Sequence, residues 1–203
     1  GGDLSTERLL SAYSQGIFPW YEKDQPILWW SPNPRTVLWP QELRISRTLR
    51  RTVQRKTFSV SVDCAFRDVL QGCTEERRDG NDTWITKEMQ HAYQNLHHLG
   101  WAHSFETWQN GILVGGLYGI GIGRVFFGES MFSRKSNASK VALVKAVEYL
   151  QYCGCELIDC QIWSAHLESL GAKQIPRHQF LDALDQLCQP TRTPESWTRG
   201  FNT

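Results

Sequence analysis

The stretch His103-Ser104-Phe105-Glu106-Thr107-Trp108-Gln109, Asn110-Gly111, Ile112-Leu113-Val114-Gly115-Gly116-Leu117-Tyr118-Gly119-Ile120 decides the fold. Two runs rich in β-branched and aromatic residues flank Asn-Gly, the dipeptide that best tolerates positive φ at both central positions of a tight turn. The stretch therefore predicts an antiparallel hairpin. A second turn over Gly119 to Gly123 leads into Arg124 to Phe127, which extends the hairpin to a three-stranded meander. Working outward, Asn137 is placed to cap a helix from Ala138 to Tyr152, and the apolar run Leu157 to Ile162 reads as a further strand. A short helix ending at Gly171 and a helix from Arg177 to Cys188 follow. Upstream, Ser46 to Gln54 reads as a basic helix, Phe58 to Val62 as a strand and Phe66 to Gly72 as a helix. Next come an acidic-basic loop, Glu76 to Asp82, and a helix that Thr86 caps and Gly100 closes after Leu99. Helices, then an antiparallel meander, then a helix crossing to another strand predict a mixed α/β domain.

The amino-terminal end differs in kind. Leu4 to Gly16 predicts a short amphipathic helix, with Ser5 or Thr6 as cap, Leu9, Leu10 and Tyr13 on one face, and Gly16 at the C′ position. From Ile17 to Pro40, Trp20, Tyr21, Trp29, Trp30 and Trp39 are interspersed with prolines and periodicity is lost. We set a boundary near Pro34, giving a small amino-terminal domain over 1–34 and a main domain over 35–203.

A chain of 203 residues accommodates one substantial domain with a small appendage. Hydrophobic residues at 40% and charged residues at 21% match globular usage and exclude a disordered or coiled-coil class. No run reaches the ~18 to 20 apolar residues that a membrane span requires, and no secretory leader is evident, so a soluble intracellular protein is expected. In that setting Cys64, Cys73, Cys153, Cys155, Cys160 and Cys188 read as reduced, buried thiols, and without paired C-x-x-C spacing no metal site is expected. The sequons at Asn81 and Asn137 carry no weight without secretion.

A net charge of +1 does not mark a nucleic-acid binder, so any such contact must come from a local cluster. One exists: Arg44, Arg47, Arg50, Arg51, Arg55 and Lys56, which fit either a solvated helix face or a phosphate-binding one. The tryptophans, 9 in 203 residues, either staple the amino-terminal segment to the main domain or offer indole faces to nucleobases. Gly115, Gly116, Gly119, Gly121 and Gly123 read as turns and bends of the meander. The alternative is a pyrophosphate loop, though the lysine of a P-loop and a strand-loop-helix context are missing.

Within Leu157 to Ile162, a period of two puts Asp159 and Gln161 on one face and Ile158, Cys160 and Ile162 on the other. A carboxylate and an amide in an apolar strand fit a buried hydrogen-bond network or a site. Gly128-Glu129-Ser130-Met131-Phe132-Ser133-Arg134 places a glutamate, two hydroxyls and an arginine after an apolar strand, where either a wet loop or a site is expected.

Taken together, several blocks resemble the leucyl/phenylalanyl-tRNA-protein transferase family. They are Gly1-Gly2-Asp3-Leu4-Ser5, Gln15-Gly16-Ile17-Phe18-Pro19-Trp20, Ile27 to Arg35, Thr83-Trp84-Ile85-Thr86, Gly128 to Ser133, Asn137-Ala138-Ser139-Lys140, Leu157 to Gln161, His166, and Ser169 to Ala172. The resemblance implies a Gcn5-related N-acetyltransferase-like (GNAT) main domain used without acetyl-coenzyme A or any other cofactor. It implies a cytoplasmic enzyme, expected to be a monomer, that moves leucine or phenylalanine from Leu-tRNA or Phe-tRNA to proteins bearing amino-terminal arginine or lysine, marking them for degradation by the N-end rule. Trp20 and Trp84 would flank the terminal adenosine. Leu117, Phe126, Met131, Leu143, Ala146, Leu150 and Ile158 would line the side-chain pocket, with Ser133 among the substrate contacts. Three departures stand out. Family members carry a further segment before the Gly-Gly-Asp block, so this chain is expected to be truncated, processed or short there. Ala146 and Leu150 stand where phenylalanines are expected, which implies less wall material. Ser164 stands where asparagine is expected and receives no catalytic role.

Aminolysis of an ester is downhill and needs no strong base, because an α-amine titrates near pH ~8 and is partly neutral in the cell. Positioning then supplies much of the rate. Asp159 and Gln161 suit this task, the amide oxygen accepting a hydrogen from the amine while the carboxylate orients it. Glu129 would pair with the cationic first residue of the acceptor, and backbone N–H groups over Ser130 to Ser133 would face the oxyanion. The basic run from Arg44 to Lys56 would meet the tRNA acceptor stem. Two other functions remain compatible with the residues: an acetyl-coenzyme A-dependent N-acetyltransferase, and a non-catalytic RNA-binding module.

Overall fold

The computed structural model describes residues 1–75 and 85–188. The loop expected over Glu76 to Asp82, together with Asn81 and Trp84, lies outside the described residues. In chain order the elements are α1 (Thr6–Ser14), β1 (Phe18–Pro19), β2 (Trp29–Trp30), β3 (Arg35–Leu38), α2 (Arg47–Gln54), β4 (Ser59–Val62), α3 (Phe66–Glu75) and α4 (Lys87–His98). They continue with β5 (Ala102–Gln109), β6 (Ile112–Ile122), β7 (Val125–Ser133), α5 (Ala138–Tyr152), β8 (Leu157–Gln161), α6 (Ala165–Ser169), β9 (Lys173–Ile175) and α7 (Arg177–Leu187).

The Asn-Gly turn forms as its chemistry requires, with Asn110 at φ +53° and Gly111 at φ +74°. β5 and β6 pair antiparallel from Ala102↔Ile120 to Gln109↔Ile112. Local caps also act where expected: Ser46 Oγ accepts from the Leu49 N–H, Thr86 Oγ1 accepts from the Met89 N–H, and Gly16 and Gly100 end α1 and α4 at positive φ. Asn137 sits at the start of α5 but makes no side-chain cap bond. The Ser139 N–H is met instead by Ser133 Oγ at 3.2 Å.

β1 pairs with β2 in a sheet of their own, and the main sheet has seven strands in the order β4-β5-β6-β7-β8-β3-β9. Its neighbours are antiparallel except β7 and β8, which are parallel and joined through α5. Strand alternation sends Phe127 into a core on one face with Leu9, Tyr13, Met89 and Tyr93. Phe126 enters a core on the other face with Leu117, Leu143, Ala146 and Leu150. This is a mixed α/β, GNAT-like architecture around a largely antiparallel sheet.

Three expectations change. The third strand does not stop at Phe127: β7 runs on to Ser133, because a register shift opposite Tyr118 and Gly119 lets Ser130, Met131, Phe132 and Ser133 keep pairing with β6. The glycines of 115 to 121 lie inside β6 and not in a loop, where packing demands their small size. A Cβ on Gly115 would meet Ala138 Cβ at 2.7 Å, and one on Gly119 would meet the Phe127 carbonyl oxygen at 2.2 Å. They let α5 and β7 approach, which removes the pyrophosphate-loop reading. Finally, β9 carries no sequence pattern of its own and forms because Arg35, Thr36 and Val37 of β3 offer it an edge. All the cysteines are free, but Cys64, in the connection from β4 to α3, is exposed. Among the described residues no helix is long and apolar enough to cross a membrane.

Candidate active site

The pairing of β7 with β8 covers Val125↔Leu157, Phe126↔Ile158 and Phe127↔Asp159, and a cavity lies beside the residues that follow. It has a volume of about 240 Å³. Its apolar wall includes Leu117, Phe126, Met131, Leu143 and Ile158, and its polar side includes Glu129, Ser130, Gln161, Ser164 and His166.

Glu129 is the centre of the polar side. Its Oε1 lies 2.7 Å from the Tyr13 hydroxyl and accepts from Gln161 Nε2 at 2.8 Å. Its Oε2 lies 2.7 Å from the Tyr93 hydroxyl, and the two tyrosine oxygens are themselves 2.6 Å apart. Burial pushes the Glu129 carboxyl up to about 7, against the hydrogen bonds from Tyr93, Tyr13 and Gln161, while the charge of Asp159 adds to the rise. Both tyrosines are fully buried and their phenols are held well above the ordinary range, first by burial.

Gln161 reaches Glu129 through an unusual backbone. It sits at φ +61°, and the Ile162 N–H donates to the Cys160 carbonyl at 2.7 Å, closing a three-residue turn around it. A left-handed non-glycine residue of this kind costs about 1–3 kcal/mol and persists only where its surroundings impose it. Here Asp159 Oδ1 imposes it by accepting the Gln161 N–H at 2.9 Å. The period-two expectation fails at this turn, so that Ile158, Cys160 and Gln161 all line the cavity.

Asp159 is a correction to the expected substrate-facing pair. It is fully buried and does not line the cavity. Its two oxygens accept from Arg35 Nε at 2.8 Å and Arg35 Nη2 at 2.6 Å. Arg35 is equally buried, donates from Nη1 to the Gly16 carbonyl at 3.0 Å, and lies 4.9 Å from the Phe18 ring centre and 4.6 Å from that of Phe180. The carboxylate needed a cation because the position is dry, and β3 supplies one.

Leu117, Phe126, Met131, Leu143 and Ile158 come together as expected. Ala146 and Leu150 do not reach the cavity: they continue the buried stripe of Leu143 along α5 and pack in the core behind it. Ser133 does not reach it either, because its hydroxyl donates to the Lys135 carbonyl and accepts from Ser139 at the start of α5. Trp20 is 37% exposed beside Trp30, whose indole N–H donates to the Trp20 carbonyl at 2.7 Å. Arg44, Arg47, Arg50, Arg51, Arg55 and Lys56 are all exposed, with Leu49 anchoring α2 in the core.

Tyr13, Tyr93 and Arg35 were missed as site residues. Tyr13 and Tyr93 carry the spacing of core residues on amphipathic helices, and Arg35 ends a proline-rich block; no local signal announces their partners. His166 lines the cavity with its Nε2 lacking a hydrogen-bond partner among the described residues, and burial, then Lys140, hold its pKa below the ordinary value.

A solved structure of FemX shares this fold at a TM-score of 0.55 and 12% identity, over 84% of this chain and 66% of that one. The likeness and the strand order give the protein a mixed α/β, GNAT-like fold with its cavity beside β7 and β8. Its sequence is more specific. The model of the leucyl/phenylalanyl-tRNA protein transferase family matches residues 37–185, and that of the family's N-terminal domain matches residues 2–33. Curated relatives include the leucyl/phenylalanyl-tRNA–protein transferases of Methylococcus capsulatus, 54% identical over 97% of this chain and 84% of the relative, and of Syntrophobacter fumaroxidans, 57% identical over 97% and 85%. The chain belongs to the leucyl/phenylalanyl-tRNA protein transferase family.

Proposed function

We propose that the protein transfers leucine or phenylalanine from Leu-tRNA or Phe-tRNA to the α-amine of proteins that begin with arginine or lysine, working in the cytoplasm as a monomer. The single observation that carries the reading is the cavity itself. An apolar wall of Leu117, Phe126, Met131, Leu143 and Ile158 faces a partly buried carboxyl and an amide, Glu129 and Gln161. The apolar part suits a leucine or phenylalanine side chain, and burying a charged one there without a partner would cost far more.

In the reaction the acceptor nitrogen attacks the ester carbonyl carbon, a C–N bond forms, and the bond to the ribose oxygen breaks. The amine loses a proton and the ribose oxygen gains one. Gln161 donates its Nε2 hydrogen to Glu129, which leaves its carbonyl oxygen as the acceptor for the attacking amine. Asp159 acts through others: it fixes Gln161 in its left-handed conformation and is held by Arg35, so it is a positioning residue. Glu129 takes the cationic side chain of the acceptor, and backbone N–H groups over Ser130 to Ser133 face the oxyanion. Residues 1–34 form the small domain that brings Tyr13 and Trp20 to the catalytic domain 35–203, with Trp20 and Trp84 around the terminal adenosine. The exposed run Arg44, Arg47, Arg50, Arg51, Arg55 and Lys56 meets the acceptor stem through phosphates.

Incubation with charged tRNA and an arginine-starting peptide, followed by mass spectrometry, tests the reading. One added leucine or phenylalanine is expected. A peptide left unmodified while the protein still binds the tRNA would leave only an RNA-binding role.

A further inference from the structure

Tyr13 on α1, Tyr93 on α4 and Glu129 on β7 make a closed triangle of short oxygen contacts. Tyr13 and Tyr93 are 2.6 Å apart, and each lies 2.7 Å from a different oxygen of Glu129. Separations of this length between oxygens each require a hydrogen between them. A phenol carries one hydrogen and an ionised carboxylate none. With Glu129 ionised, only two hydrogens serve the three contacts. If both phenols point at the carboxylate, their own oxygens face each other at 2.6 Å with nothing between. If one phenol points at the other, a contact to Glu129 is left empty.

A neutral carboxyl supplies the missing hydrogen. Oε1 already accepts from Gln161 Nε2 at 2.8 Å, so the proton belongs on Oε2. Oε2–H then donates to Tyr93, Tyr93 donates to Tyr13, and Tyr13 donates to Oε1. Each hydrogen is used once, and Oε1 uses both of its lone pairs. We propose that Tyr13 and Tyr93 are positioning residues that hold a proton on Glu129, so that the free enzyme carries a neutral acid beside the aminoacyl cavity.

The surroundings favour the same state. Tyr118 on β6 faces the group with a fully buried phenol raised well above its ordinary range, first by burial and then by the charge of Glu129. The charge of Asp159 on β8 opposes ionisation of Glu129, and the cation Arg35 on β3 is bound to Asp159. Of the other titratable groups lining the cavity, Cys160 has its thiol pushed up by burial and then by the charge of Asp159, so it stays neutral, and His166 has its pKa lowered and adds no compensating cation near neutrality. Desolvation drives Glu129 upward in agreement with the hydrogen count; two phenols donating to an ionised carboxylate would instead lower it, but that arrangement leaves the 2.6 Å contact between the phenols without a hydrogen.

The proton has a consequence for the transfer reaction, which rests on the proposed role of Glu129 towards the acceptor: a cation docking there must drive the proton off to solvent. The hydrogen-bonded triangle itself belongs to the free enzyme, so it can fail without the transfer activity failing, and the reverse.

The test is a carbon-13 NMR titration of the full chain labelled at the glutamate carboxyl, with Glu129→Gln assigning the resonance. Glu129 is expected to titrate close to neutrality, far above an ordinary glutamate at about 4.3. Tyr13→Phe and Tyr93→Phe each remove one hydroxyl from the cycle, which the neutral form needs more than the anion does. The midpoint should fall by about one unit in each, the worth of one hydrogen bond. Phenols acting only as donors to a carboxylate would give the opposite sign, a rise. A midpoint among the ordinary glutamates, or a rise or no change in both variants, overturns the proposal. The wild-type titration decides the protonation state even where a variant fails to fold.

Discussion

Replacing Asp159 by alanine should unfold much of what holds the site in place, and the loss can be worked from the contacts. The substitution removes two charge-assisted bonds to Arg35, at 2.8 and 2.6 Å, between groups with no exposed side-chain surface. What remains to Arg35 is one bond to the Gly16 carbonyl and the faces of Phe18 and Phe180, all present before the change and therefore no compensation. Stripping one partner from a buried pair costs about 3–5 kcal/mol. Against a total stability of about 5–15 kcal/mol this is a large share. For a domain of this size it corresponds to a fall in Tm of roughly 6–20 °C. Thermal and urea unfolding followed by circular dichroism measure it directly, and Gln161→Ala, which deletes a single hydrogen bond to Glu129, serves as the control at about 1 kcal/mol. The double variant Arg35→Met with Asp159→Leu should recover most of the loss, because an apolar pair of similar volume needs no partner charge. An Asp159→Ala protein within about 1 kcal/mol of wild type that had nevertheless lost transfer would refute the assignment. It would mean that the carboxylate acts on substrate and not through Arg35 and Gln161.

Other outcomes follow from the same contacts. Glu129 has a folded-state pKa raised from 4.5 to about 7, so its contribution to stability is present below about pH 4.5 and is lost as pH rises through about 7. Glu129→Gln, which mimics the neutral acid, should therefore match wild type near pH 4.5 and exceed it by up to roughly 3 kcal/mol above pH 7 in urea titrations; a difference independent of pH would contradict the raised pKa. Neutralising Arg47, Arg50 and Arg51 should weaken tRNA binding whatever the sequence and flatten its salt dependence, whereas an unchanged salt slope would make α2 merely a solvated face. Ala146→Phe overfills a fully buried position behind the cavity, at about 1–3 kcal/mol, and should reduce phenylalanine transfer more than leucine transfer by pressing Leu143 inward. Equal transfer rates from separately charged tRNAs before and after the change would show that the core absorbs the ring without narrowing the cavity.

Much of the fold is written locally. Asn110-Gly111 specifies a tight turn because few other dipeptides adopt positive φ at both positions, and the caps at Ser46 and Thr86 depend only on a hydroxyl and an N–H three residues away. The family, and with it Glu129, Gln161 and the apolar wall, was legible from blocks of sequence in order. Other features required distant segments to meet. Asp159 looked able to face substrate until Arg35, 124 residues away, took both of its oxygens. The segment Gly128 to Arg134 fitted either a wet loop or a site, and the register shift between β6 and β7 is what sets Glu129 within β7, beside tyrosines from α1 and α4. The family resemblance implies Ala146 and Leu150 in the pocket, yet the cavity touches α5 only at Leu143. Turns, caps and periodicity are properties of neighbouring residues, so the sequence alone determined them. Which buried charge finds a partner, and which face of a helix meets a cavity, depend on strand order and register, and those exist only once the chain has folded.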